Sequence, residues 1–352
     1  MNSLHDLIDA IPLPDAAAER QARARLDRLT KPPGSLGVLE DLAARLAAIT
    51  GQVCPPLDHP AVLVAAADHG VVAEGVSPYP QAVTGQMVRN FLRGGAAINA
   101  LAGAAGAQVI VVDAGVAADL PALPELRRAA VMRGSGNLRR EPAMSRAVAE
   151  QMLLAGARIV AEEADAGLDL LALGEMGIGN STAAACLTSA LTGAAPELTT
   201  GRGAGVDDAG LARKRAVVAD ALARACVSHA DPLGALAELG GLEIALLAGA
   251  ALAAASRRIP VVLDGYIATS AALAAAALAP RLPAYLIAGH RSAEPGHRLA
   301  LEHLGLRPLL ALDMRLGEGS GAALAIPIVR AASRVMREMA TFEDAGVSAR
   351  LM

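Results

Sequence analysis

The chain has 352 residues, a formal net charge of −4, 54% hydrophobic residues and only 1% aromatics. Lys and Arg form no basic stripe, which argues against nucleic acid as a partner; the length supports a large apolar core with an accessory unit beside it. Three scattered cysteines, Cys54, Cys186 and Cys226, make no CxxC pair, so neither a disulfide framework nor a zinc knuckle is suggested.

The opening MNSLHDLIDAIPLPD has no basic stretch followed by an apolar one, so a cytoplasmic protein is expected. DAAAERQARARLDRL (15–29) is amphipathic and predicts a helix. TKPPGSLG (30–37) breaks it, because two prolines and two glycines cannot continue a helix. VLEDLAARLAAIT (38–50) resumes. From residue 60, short apolar runs alternate with longer helix-like ones: AVLVAAA (61–67), QVIVVDA (108–114), LDLLALG (168–174), PVVLDG (260–265), AYLIAG (284–289) and PLLALD (308–313). Runs without polar alternation suit strands buried on both faces. Their alternation with helices predicts an α/β fold, a Rossmann-like parallel sheet flanked by helices. The most apolar run, IALLAGAALAAA (244–255), falls short of the ~20 residues that span a bilayer. The segment 321–346 predicts a helix interrupted near Pro327, packing with the N-terminal helices as a small unit. The expected division is therefore 1–55 and 319–352 for the small helical domain, and 56–318 for the α/β domain.

Ligands of open α/β sheets bind beyond the carboxyl ends of the strands. There the runs end in DHG (68–70), DAG (113–115), GEMGIGNST (174–182), DGY (264–266), GHRS (289–292) and DMRLGEG (313–319). Polar residues beside glycine, repeated at every end, predict a polar cleft that a ligand approaches closely. GEMGIGNST has the glycine spacing of a P-loop, but Asn180 stands where the lysine should be. A single phosphate ester on backbone N–H groups at a helix N-terminus fits this loop; so does a plain turn capped by Asn180, Ser181 or Thr182. GRGAGVDDAGLARKR (201–215) is a second glycine loop without GxGxxG order. Its Lys214 either reaches a phosphate as a point charge or lies on the surface. Asp68, Asp113, Asp264 and Asp313 could hold magnesium or order their loops. His69, His290 and His297 are too irregularly spaced for a zinc site. EGVSPYPQAVTGQMV (74–88) offers Tyr79 and Met87 to grip a flat ring, or is a surface loop. RLGEGSGAA (315–323) sets Glu318 between two glycines, as a solvated turn or as a catalytic acid or base.

Taken together and in order, KPPGSLG, AADHGVVAEGVSPYPQAVTGQMVRNFLRGGAAIN, LGEMGIGNSTAAA, GRGAGVDDAGLARK, DGYIATSAA, GHRSAEPGH and LDMRLGEGSGAALAIPI resemble the nicotinate-nucleotide:dimethylbenzimidazole phosphoribosyltransferases of cobalamin assembly. The resemblance runs from about residue 30 to 335. It implies transfer of the 5-phosphoribosyl group of nicotinate mononucleotide to 5,6-dimethylbenzimidazole, with inversion at C1′, giving α-ribazole 5′-phosphate and nicotinate. It implies a homodimer that needs neither metal nor organic cofactor and binds small molecules rather than nucleic acid or membrane. Glu318 is the implied general base. Glu175, Met176, Gly177, Ile178, Gly179, Asn180 and Ser181, with Gly203, Lys214, Gly265 and Ser292, are the implied nucleotide and phosphate contacts. Tyr79, Pro80, Gln86, Met87, Leu316 and Gly317 are the implied base pocket. The acceptor stays open between dimethylbenzimidazole, adenine, other benzimidazoles and phenolics.

The chemistry suits a lone acid. A benzimidazole loses its N–H proton as its other nitrogen bonds to C1′, and one carboxylate within hydrogen-bond reach suffices. Nicotinate leaves from a nitrogen that already carries positive charge, so no acid is needed. Among rivals, a transferase using a pyrophosphate-activated sugar lacks its DDxxxTG run here, and a nicotinamide dehydrogenase lacks GxGxxG after a strand. A non-catalytic nucleotide-binding module would keep the glycine loops without requiring Glu318.

Overall fold

Pro60–Ala67 (β1) is buried at all eight positions, which requires cover on both faces of the strand. The computed structural model, which describes residues 3–228 and 230–348, supplies that cover. β1 lies inside a six-stranded sheet with β2 (Gln108–Gly115), β3 (Leu126–Arg128), β4 (Leu170–Met176), β5 (Val261–Leu263) and β6 (Leu286–Ala288). All neighbours are parallel, and the order is β3-β2-β1-β4-β5-β6. The expected α/β fold with a helix-flanked parallel sheet is the observed one. Side chains alternate as the pleat demands. Leu63, Ala65 and Ala67 join the apolar cluster on one face. Val62, Val64 and Ala66 join the cluster on the other.

The first face is covered chiefly by the helices Arg146–Asp165, Asn180–Thr192, Leu242–Ser256 and Tyr266–Leu278. Leu242–Ser256 contains the most apolar run of the sequence and is buried from Leu242 through Ala255. A helix apolar all round belongs in a core. Its Gly249 lies against the backbone of Leu153, and Gly156 lies against the backbone of Leu246. Small residues thus let two helices meet backbone to backbone, which accounts for much of the alanine and glycine. No helix among the described residues is long and apolar enough to cross a membrane.

The second face carries helices Val83–Leu92, Ala97–Ala105 and Ser320–Glu338. Helices Ala16–Arg28 and Val38–Thr50 pack onto Ser320–Glu338. Arg25 donates to the carbonyl of Met336 at 2.8 Å, and Leu29 bridges Thr341. Leu26, Leu46, Val329 and Met336 share one cluster with Val62 and Val64, so the helices of both chain ends run on into the sheet face. TKPPGSLG is the turn between the first two of these helices, with Gly34 and Gly37 at φ +74° and +55°. Lys31 of this turn pairs with Glu40 of the following helix at 2.7 Å, largely buried.

Three expectations need correction. PLLALD (308–313) is not a strand. Leu309 and Leu310 donate to the carbonyls of Ala288 and Gly289, but β6 is only three residues long and leaves the rest of the run no partner strand. The chain instead passes over the carboxyl edge of the sheet, leaving Leu312 54% exposed. β3 was absent from the expected strands, because Leu-Arg-Arg on a sheet edge carries no apolar run. Finally, Ser320–Glu338 continues through Pro327 and stops at Glu338. The proline does not interrupt this helix, because Ala322, Ala323 and Ile326 before it and Val329 after it are all buried on the sheet, holding both halves in line.

Candidate active site

Strand order reverses between β2 and β4, on either side of β1. Such switch points leave a crevice at the carboxyl ends of the strands. After β4 the chain turns through Gly177–Gly179 into helix Asn180–Thr192. The turn is tight: Gly179 sits at φ +95°, and a Cβ on Gly177 would lie 2.7 Å from the carbonyl of Ala67. Beside this loop lies a cavity of about 450 Å³, within the range typical of small-molecule sites.

Glu318 lies at one end of the cavity. Gly317, Glu318 and Gly319 have φ of +90°, +64° and +86°, three left-handed residues in succession. Only glycine adopts that region freely, so Glu318 is held there under strain. The flanking glycines also face close neighbours. A Cβ on Gly317 would overlap the Glu175 carboxylate, and one on Gly319 would lie 2.6 Å from Val62. Asp264 anchors the following helix by accepting the N–H groups of Gly319, Gly321 and Ala322 at 3.2, 2.6 and 3.1 Å. Glu318 Oε2 accepts the N–H of Ile98 at 3.3 Å. Burial raises the Glu318 pKa, and the charge of Asp264 adds to the rise. Glu175 accepts from the Asn180 amide, yet burial, reinforced by Asp264, Glu243 and Glu318, pushes its pKa up to about 8.

Near Gly203 a buried lysine stands behind the cavity wall and a carboxylate lines it. Lys214 is fully buried, and its Nζ donates to Ser181 Oγ at 2.7 Å. Burial brings its pKa down to about 8, against an opposing pull from Glu294. Gly203 N–H donates to Glu294 Oε1 at 2.9 Å.

A family profile described as Phosphoribosyltransferase matches residues 11–347. The chain is 57% identical, over 337 residues, to the nicotinate-nucleotide–dimethylbenzimidazole phosphoribosyltransferase of Chloroflexus aggregans, covering 96% of this chain and 95% of the relative. Identity to the enzyme so named from Thermus thermophilus is 56% over 328 residues, 93% of this chain and 97% of that one. The chain belongs to this phosphoribosyltransferase family. The crystal structure of CobT from Thermus thermophilus matches its fold at a TM-score of 0.92 and 55% identity, over 95% of this chain and 100% of that one.

In this phosphoribosyltransferase, the cavity is lined by Tyr79, Met87, Glu175, Met176, Gly177, Ile178, Gly179, Asn180, Ser181, Gly203, Gly265, Ser292, Leu316, Gly317 and Glu318, all expected from sequence. Pro80, Gln86 and Lys214 do not line it. Pro80 is exposed beside Tyr79. Gln86 is exposed because the cavity face of helix Val83–Leu92 carries Val83 and Met87, one turn apart. Lys214 stands behind Ser181 and is not a surface lysine. Sequence reasoning missed Val76, Ser77, Val83, Ala204, Tyr266, Ile267, His290, Glu294 and Arg315. Val83 was readable from its helical spacing to Met87, and Glu294 from its place two residues after Ser292.

Asp68, Asp113 and Asp264 order the backbone beside them. Asp68 accepts the N–H of Ala117 at 2.8 Å, and Asp113 those of Gly115 and Val116 at 3.1 and 2.9 Å. His69 pairs with Glu243 at 2.7 Å in the core. His297 Nδ1 accepts from Ser292 N–H at 2.9 Å, and its Nε2 meets Thr269 Oγ1 at 2.9 Å. Burial, with His290 nearby, lowers the His297 pKa to about 3, so it stays neutral and braces Ser292. Among the described residues no group of three His, Cys, Asp or Glu side chains could hold a metal ion.

Proposed function

We propose that the enzyme transfers the 5-phosphoribosyl group of nicotinate mononucleotide to 5,6-dimethylbenzimidazole, with inversion at C1′ and Glu318 as general base. The observation that carries this reading is the placement of the desolvated carboxylate Glu318 in a cavity that Ser181 and Gly203 also line, with Lys214 behind them. The phosphate fits beside Ser181 and Gly203, with Lys214 behind them. The flat base fits the apolar wall of Tyr79, Met87, Met176 and Leu316, beside Glu318.

In this reading, Glu318 accepts the benzimidazole N–H proton while the second ring nitrogen forms a bond to C1′. The C1′–N bond to nicotinate breaks on the opposite face, and its electron pair returns to the pyridinium nitrogen. A raised carboxylate pKa makes Glu318 a better base at neutral pH than an exposed acid. Glu175, kept protonated by burial, takes no part as a base and orders the ribose side together with Asn180. We also read the enzyme as a homodimer in the cytoplasm, with the exposed Leu312 available to a second copy; sedimentation tests the dimer.

The test is incubation of the purified chain with nicotinate mononucleotide and dimethylbenzimidazole without added metal. The expected outcome is α-ribazole 5′-phosphate and nicotinate in equal amounts. No product across a panel of acceptor bases would favour a nucleotide-binding module. Product with adenine or a phenol but not with dimethylbenzimidazole would correct the acceptor alone.

A further inference from the structure

One buried anion in the cavity is unused by the reaction just described. Glu294 is 7% exposed, and its Oε2 is buried without a hydrogen-bond partner. Its Oε1 accepts the N–H of Gly203 at 2.9 Å. Gly203 also lies close to two polar side chains. A Cβ built on it would lie 2.7 Å from Ser181 Oγ and 2.9 Å from Lys214 Nζ. Ser181 Oγ and Lys214 Nζ thus press against Gly203, while the Gly203 N–H, on the cavity lining, is held by a carboxylate of the protein itself. Gly201 makes room for it, because a Cβ there would overlap Glu294 Oε2.

We propose that Glu294 keeps the phosphate seat of the empty enzyme and gives it up when a phosphomonoester binds, so that the phosphate takes over the Gly203 N–H and the field of Lys214. This rests on the phosphate position proposed above. A dianion and a carboxylate cannot share one N–H donor, and like charges at such distance repel in a poorly solvated site. In the empty state the carboxylate supports the buried ammonium, which has no solvent to stabilise it. The exchange leaves affinity for phosphomonoesters lower than Lys214, Ser181 and Gly203 alone would give. Nucleosides without phosphate have nothing to exchange.

The test is Glu294→Gln, which keeps an amide oxygen for Gly203 but removes the charge. The KM for nicotinate mononucleotide should fall about tenfold, and inhibition by inorganic phosphate should strengthen by a similar factor. Inhibition by the riboside lacking phosphate should not change. The alkaline limb of kcat/KM should move to lower pH, because Lys214 loses the neighbour that keeps it protonated. Glu294→Asp retains the charge and should restore parental phosphate inhibition. A KM that rises for nucleotide together with weaker inhibition by the riboside, in protein that melts like the parent, would overturn the proposal and make Glu294 a ribose contact or loop brace. An unchanged KM would overturn it too. Lys214→Met separates the two levels. If it leaves phosphate inhibition intact, the phosphate position itself is wrong. If it abolishes inhibition while Glu294→Gln changes nothing, only the exchange fails.

Discussion

Glu318 donates its backbone N–H to the carbonyl of Glu175 at 3.1 Å, tying the end of β4 to the loop that precedes the C-terminal helix. The two side chains share one cavity. Burial, reinforced by the charges of Asp264, Glu243 and Glu318, lets Glu175 keep its proton to about pH 8. One acid is thereby left neutral and the other is left to titrate.

Glu318→Gln should keep nucleotide binding and lose at least ~100-fold in kcat, the low end for loss of a general base. Equilibrium binding and single-turnover rates measured on the same preparation check this. Turnover near that of the parent would remove the assigned role.

The pH profile of kcat should rise through the Glu318 pKa, because only the ionised form accepts a proton. That acid limb should lie above 4.5, since burial raises the group from that ordinary value. A limb at or below it would show that the carboxylate is well solvated in the complex.

Glu175 links stability to pH in a defined direction. The folded chain holds its proton up to about pH 8, while the unfolded chain releases it near 4.5. Folding therefore takes up a proton in that window, and stability falls as pH rises across it, by up to about 1.4 kcal/mol per unit. Glu175→Gln carries no such proton and should flatten the fall. Urea unfolding at pH 5.5 and pH 8 measures the difference; equal slopes in parent and variant would contradict the shift.

Gly249→Ala should destabilise the fold by about 3 kcal/mol or more, because the added methyl meets the Leu153 backbone rather than a movable side chain. Gly103→Ala is the control, since a Cβ there meets nothing within 4 Å. In its helix it should be neutral or stabilise by up to about 1 kcal/mol. Thermal melts of the two variants should shift in opposite directions or by clearly different amounts.

The sheet was legible because its buried strands are uninterrupted apolar runs, as in Pro60–Ala67. Leu126–Arg128 was not, because an edge strand of three residues leaves no pattern. PLLALD misled for the converse reason: an apolar run says nothing about whether a neighbouring strand extends far enough to pair with it. At the site, glycine loops and strand ends were readable because close approach restricts residue type locally. The burial of Lys214 was not, since it depends on Ser181 and on elements distant in sequence, while its chain neighbours look like a charged surface helix. Gln86 and Val83 differ only in helical phase, which a loop of uncertain length before the helix conceals.

The tyrosine distribution has a practical consequence. The chain has no tryptophan and three tyrosines. Tyr285 is buried with its hydroxyl on the carbonyl of Pro12, and Tyr266 is buried with its hydroxyl on that of Thr199. Tyr79, 52% exposed on the cavity wall, is the one free to change surroundings when a ring settles beside it. Ultraviolet emission from the unlabelled protein thus reports on the cavity through Tyr79 and the buried Tyr266, and a Tyr79→Phe variant separates the two.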